Sequence, residues 1–157
     1  MFRHVWSVLC ERISTDKNTN LVSFLSCVEN INVRKLPVNM RNLSLGMRWV
    51  KEGEKEELLK LSISLIRPDA TEELLFKGEQ KIEKYGFRCN LILNGMPIKE
   101  IGTHIFKIQM YSDNKWTTVQ EIPLTVSLKT ATEKSELPEK TSSKRRRISG
   151  KSRIGKE

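Results

Sequence analysis

Two histidines, His4 and His104, and three cysteines, Cys10, Cys27 and Cys89, are the side chains in this 157-residue chain best suited to metal or nucleophilic chemistry. Two imidazoles with a carboxylate would suit a transition metal. No HxH or HxxxH spacing occurs, however, and each histidine sits in an apolar, alternating stretch. The expectation is a pair of core or edge histidines and no metal site. A thiol beside an imidazole would make a nucleophile, and His104 with Cys10 or Cys89 is the pairing a β-fold would have to assemble. No nucleophile elbow and no papain-like or caspase-like signature accompanies these residues, so no catalytic residue is assigned. There is no CxxC. The wide spacing and apolar neighbours of the thiols fit free, buried cysteines in a reducing compartment, in preference to a Cys10–Cys27 bridge between neighbouring strands.

Other groupings are weaker. Glu52, Glu54, Glu56 and Glu57 lack the spacing of an EF-hand and read as a solvated hairpin tip rather than a calcium site. Neither a P-loop nor GxGxxG is present, so no cofactor is expected. Trp6, Trp49 and Trp116 would stack on bases if exposed, but all share strand faces with apolar neighbours and read as core by default, with partial exposure open to Trp116 next to a polar turn. The sharpest candidate is electrostatic. From Lys140 to Lys156 there are eight cations and no acid: Lys140, Lys144, Arg145, Arg146, Arg147, Lys151, Arg153 and Lys156. Such a run attracts polyanions through counterion release, with arginine able to bridge phosphate oxygens.

The elements that would position these residues are strands. Residues 2–10 read as a first strand, with Phe2, His4, Trp6, Val8 and Cys10 on one face and Val5 and Leu9 on the other. Asp16 to Asn20 is a turn, and residues 21–28 return as the second strand of a hairpin. A short strand is expected at Ile31 to Val33. Leu43, Leu45, Met47 and Trp49 share a face of the next, and Lys51 to Glu54 supply a turn. Leu59, Leu61, Ile63 and Leu65 alternate with Lys60, Ser62 and Ser64, the pattern of an antiparallel strand wet on one side. Residues 71–84 fit a helix or a strand. Phe87, Cys89 and Leu91 alternate again, and Met96-Pro97-Ile98 reads as a loop. His104, Phe106, Ile108 and Met110 line one face of a strand that turns at Ser112 to Lys115. Trp116 then leads into Ile122, Leu124, Val126 and Leu128, with Pro123 marking an edge or a bulge. Seven to eight strands without a long helix predict an all-β, antiparallel two-layer sandwich over residues 1–128, with a closed barrel as the alternative.

Two stretches carry a resemblance. His4-Val5-Trp6-Ser7-Val8-Leu9-Cys10, with Asp16, Thr19-Asn20 and Ser23-Phe24, resembles the opening of small bacterial proteins grouped only as a domain of unknown function. Gly102-Thr103-His104-Ile105-Phe106, with Trp116 and Ile122-Pro123-Leu124, is similar to the last hairpin of an immunoglobulin-like or C2-like sandwich, where the pattern is Gly-x-Tyr-x-Phe. His104 stands in place of that tyrosine, so a tyrosine-corner hydrogen bond is not carried over. The resemblance implies a bacterial, cytoplasmic sandwich and brings no activity with it.

Composition sharpens the division at residue 128. Residues 1–128 hold 18 Lys/Arg against 15 Asp/Glu, whereas residues 129–157 hold 10 against 4. The second segment has too few apolar residues to offset an ordering entropy of about 1–2 kcal/mol per residue, and reads as a disordered basic tail. No stretch approaches a secretion signal or a membrane span, so a cytoplasmic protein is expected. The functional expectation is a non-enzymatic interaction module that meets a protein partner through its β-domain. The alternatives are a nucleic-acid-associated protein that binds through the tail, and an enzyme with a site built from scattered residues.

Overall fold

The computed structural model describes residues 1–53 and 55–129. These residues form eleven strands and no helix, in chain order β1 (Phe2–Thr15), β2 (Val22–Cys27), β3 (Asn30–Val33), β4 (Val38–Met40), β5 (Ser44–Lys51), β6 (Glu57–Ile66), β7 (Glu72–Ile82), β8 (Gly86–Ile92), β9 (Met96–Ile98), β10 (Gly102–Ser112) and β11 (Lys115–Leu128). The all-β expectation holds, with eleven strands in place of seven or eight. They build a four-stranded sheet in the order β2-β1-β5-β8, a five-stranded sheet in the order β3-β11-β10-β6-β7, and a two-stranded ladder β4-β9.

The two larger sheets enclose one core. Leu45, Met47 and Trp49 of β5 face Leu59, Leu61, Ile63 and Leu65 of β6, together with Phe106, Ile108, Leu124 and Val126. Burying each such side chain contributes about 1.5–3 kcal/mol, so these stripes set which face of each strand points inward. Met96-Pro97-Ile98, expected as a loop, instead pairs with Val38 to Met40 and closes the core with the buried Met96 and Ile98. The ambiguous segment 71–84 resolves as a strand because β6 offers it a full antiparallel ladder and Ile82 has a place in the core.

Three further expectations are corrected. The five-stranded sheet is not wholly antiparallel, because β3 runs parallel to the end of β11. Lys51, expected in a turn, ends β5 fully buried and donates from Nζ to the Lys55 carbonyl. The face of β6 expected to be wet is largely covered, with Ser62 and Ser64 buried. Ser64 Oγ donates to Glu72 at 2.6 Å, and Lys107 Nζ lies 2.6 Å from the same carboxylate. The Lys107 ammonium and then the Ser64 hydroxyl hold Glu72 below the usual carboxylate pKa.

Single-residue bulges set the remaining faces. On β1 the pairing passes from His4↔Trp49 to Trp6↔Arg48, leaving Val5 unpaired. On β11 it passes from Gln120 to Thr118, leaving Val119 unpaired. On β7 it passes from Phe76 to Leu74, leaving Leu75 unpaired. Because side chains alternate with a period of two, each extra residue exchanges inside for outside. His4 therefore keeps the face of Trp49, while Trp6 moves to the outer face and meets Phe24 edge-on at 5.3 Å. Gly46, opposite Val8, lies beneath this outer cluster. A Cβ there would come 2.6 Å from the Phe24 ring and 3.0 Å from Ile13. Gly46→Ala is expected to cost about 1–3 kcal/mol through overpacking. Urea denaturation should show a lower midpoint, partly restored by adding Phe24→Leu.

Candidate functional site

The most distinctive solvent-facing arrangement grows from the β10–β11 hairpin. Asp113 and Asn114 both take positive φ, 50° and 61°, the geometry of a two-residue type I′ turn. That turn fixes Ser112 opposite Lys115 and Tyr111 opposite Trp116. Tyr111 continues the outward phase of Gln109, and the Val119 bulge brings Thr118 and Trp116 onto the same outer face. The two rings lie 5.3 Å apart at 60°. Lys60 of β6 stands 5.5 Å from the Tyr111 ring centre, and Lys77 of the edge strand β7 stands 5.2 Å from that of Trp116. Each cation–π contact contributes about 0.5–1 kcal/mol at an exposed site. With Gly78 and Glu79 these four side chains line a groove of about 420 Å³. Glu79 approaches Lys60 at 3.9 Å, an exposed pair of little energetic weight.

The groove combines a half-buried aromatic floor, two ammonium groups and one carboxylate. It suits a ligand that presents apolar surface to the rings and spaced negative charge to the lysines. Of this set the sequence singles out only Trp116, with the core as its default place and partial exposure beside the polar turn as the alternative, and the structure shows the partial exposure. The signal that marks the site is the turn itself, because a two-residue loop at Asp113-Asn114 forces Tyr111 and Trp116 to face each other.

The residues expected to matter are placed differently. Of the three tryptophans, Trp49 alone is fully buried. His4 packs edge-on against Trp49 and shares a 2.7 Å hydrogen bond between Nε2 and Ser7 Oγ, across the Val5 bulge. Among the described residues no three His, Cys, Asp or Glu side chains converge as a metal would require. Glu56 pairs with Lys81 at 2.5 Å and Glu57 with the Met1 amino group at 3.0 Å, while Glu54 lies outside the described residues. Cys10 is buried, Cys27 exposed and Cys89 intermediate, and none is bridged. Lys140, Lys144, Arg145, Arg146, Arg147, Lys151, Arg153 and Lys156, the run proposed to bind polyanions, lie outside the described residues.

His104 is fully buried on the inner face of β10, and neither ring nitrogen has a hydrogen-bond partner. Burial pushes its pKa below the usual imidazole value. Arg67 adds to that shift, while the Gly102 backbone and the Glu100 carboxylate oppose it. The unfolded chain therefore binds more protons than the native one below the free imidazole pKa, near 6.5. Stability is full above that value and falls as the pH drops through it toward the native pKa. His4, also lowered chiefly by burial, acts in the same direction. Urea midpoints between pH 7.5 and 5 should therefore fall for the natural chain, and less steeply for His104→Leu.

No helix among the described residues is long and apolar enough to cross a membrane. Comparison with curated proteins finds no match. Among solved structures, the chain is similar to Pseudomonas fluorescens alkylpurine DNA glycosylase AlkC bound to DNA containing an abasic site analog. The identity is 9%, the TM-score 0.42, and the match covers 62% of this chain. It spans only 27% of the glycosylase chain, and the likeness is too slight to carry an argument. A family model described as "Family of unknown function (DUF6941)" matches residues 5–127, nearly the whole stranded region. The chain belongs to that family.

Proposed function

We propose that this protein is a non-enzymatic interaction module that holds an acidic, extended segment of a protein partner in the groove formed by Tyr111, Trp116, Lys60 and Lys77. The observation that carries the reading is the pair of lysines poised over two outward-facing rings beside an edge strand. An edge strand leaves one row of backbone groups unpaired, and β7 offers its row to an incoming strand. Its charges alternate in sign: Glu72, Glu73 and Glu79 interleave with Lys77 and Lys81. A uniformly anionic phosphodiester chain would meet those carboxylates. A peptide of spaced acids and apolar residues registers on the lysines and rings instead. The basic run from Lys140 to Lys156 adds long-range attraction to an acidic partner.

A cytoplasmic setting, a bacterial source and an immunoglobulin-like or C2-like type for the two sheets belong to the same proposal. The free thiols support the first, and the resemblance of the opening and closing strands supports the others.

Fluorescence anisotropy with the full chain tests the reading. The probes are a labelled peptide of alternating Glu and Leu/Phe, its Gln counterpart, and oligothymidylate. The acidic peptide should bind, its Gln counterpart should not, and Trp116→Ala or Lys60→Glu with Lys77→Glu should weaken binding about tenfold or more, equivalent to about 1.4 kcal/mol. Peptide binding indifferent to these changes removes the groove from the mechanism. Oligothymidylate binding that is lost on deleting residues 140–157, without peptide binding, favours the nucleic-acid reading.

A further inference from the structure

Cys10 and Cys27 are directly opposite partners in the β1–β2 ladder. The hydrogen bond beside them identifies the kind of pair they form. Val28 N donates to Leu9 O at 2.9 Å, so the residue after Cys27 bonds to the residue before Cys10. In an antiparallel ladder that bond flanks a non-hydrogen-bonded pair, in which the Cα atoms approach to about 4.5 Å and the side chains lie closest. The separation falls within the range a disulfide spans, about 4.4–6.8 Å. The two thiols also sense each other, since Cys27 raises the Cys10 pKa in addition to the larger effect of burial. Cys10 is fully enclosed, with Sγ directed at the carbonyls of Arg12 (3.4 Å) and Ser44 (3.7 Å), whereas Cys27 is exposed. Next to Cys27, Ser26 holds a positive φ of 53°, and the ladder resumes at Arg12↔Leu25.

We propose that Cys10 and Cys27 form a reversible cross-strand disulfide in reaction with a low-molecular-weight disulfide, and that this bond fastens the edge strand β2 to β1. Cys27 is the entry point because its thiol meets solvent. As a thiolate it attacks one sulfur of the small disulfide, and the other sulfur leaves as a thiol carrying the proton that Cys27 gave up. Cys10 then rotates about χ1 away from the Ser44 carbonyl, releases its proton to solvent and attacks Cys27 Sγ. The second small thiol leaves and is protonated. Two protein thiols are oxidised and one small disulfide is reduced to two thiols. Accessibility and position thus divide the roles: Cys27 takes the oxidant and Cys10 resolves the mixed disulfide. The proposal is independent of the groove at Trp116, which lies on the other sheet.

The full chain, equilibrated over a series of oxidised-to-reduced glutathione ratios, gives the test. Intact mass and peptide mapping without reductant should show loss of two hydrogens and a Cys10–Cys27 cross-linked peptide, reversed by dithiothreitol. Cys89→Ser should behave as the natural chain. Cys27→Ser, a change at an exposed position, should abolish the bridge and leave Cys10 unmodified. Cys10→Ser should stop the reaction at a glutathione adduct on Cys27. Oxidation should raise the urea midpoint of the natural chain and leave that of Cys27→Ser unchanged. A stable glutathione adduct on Cys27 in the natural chain, a Cys27-linked dimer, or a bridge involving Cys89 would each overturn the proposal.

Discussion

Everything in this domain depends on the mutual burial of two apolar stripes, Leu45-Met47-Trp49 on β5 and Leu59-Leu61-Ile63-Leu65 on β6. Both strands lie inside their sheets, so each stripe is flanked by neighbours on either side and covered from above by the opposing layer. Water is excluded from both stripes at once, and a shift of either strand by one residue would turn its entire apolar set outward. That penalty pins the register of β5 and β6. The register then passes outward through hydrogen-bonded ladders to β1, β8, β10 and β7. Even the polar residues obey it: Ser62 and Ser64 are buried because β6 is central, and Ser64 finds its partner in Glu72 of the adjacent strand.

The proposed binding surface arises where this regular alternation is interrupted. Trp6 and Trp116 share sequence phase with inward residues of their own strands, yet both stand outside because one extra residue, Val5 or Val119, intervenes. The first displaced tryptophan packs with Phe24 over Gly46 and is absorbed into the outer face of its sheet. The second meets Tyr111 and two lysines and forms a groove. Equivalent interruptions thus have different consequences, decided by what the neighbouring strands present. Trp6 stands opposite Arg48 and is capped edge-on by the Phe24 ring. Beside Trp116 the neighbours are cationic and leave space.

The same ladders give the cysteines and histidines their character. His104 is enclosed with both nitrogens unpartnered, which makes it a burden at low pH. Cys10 and Cys27 are separated by a turn in sequence and meet only because Asp16 to Asn20 reverses the chain. The Asp16 carboxylate accepts from the Asn18 and Thr19 amides at 2.9 and 2.7 Å, which stabilises the reversal. A local turn therefore determines a covalent opportunity six residues before it on β1 and seven residues after it on β2.

Much of the architecture was legible in the residues alone. Alternation at 43–49, 59–65 and 104–110 gave the inward faces, and the turns at Asp16 to Asn20 and Ser112 to Lys115 gave the two hairpins, because side-chain period and turn chemistry are local properties. The bulges were not legible, since an unpaired residue is defined by its partner strand. Nor were the parallel placement of β3, the pairing of Val38–Met40 with Met96–Ile98, or the strand fate of residues 71–84, where local helical preference yielded to a neighbouring ladder. The tryptophans show the boundary most plainly. Their sequence phase favours the core for all three and leaves only Trp116, beside its polar turn, open to partial exposure; the assembled sheets decide that Trp49 stays inside while Trp116 faces solvent, because which side of a strand is buried depends on what lies across from it.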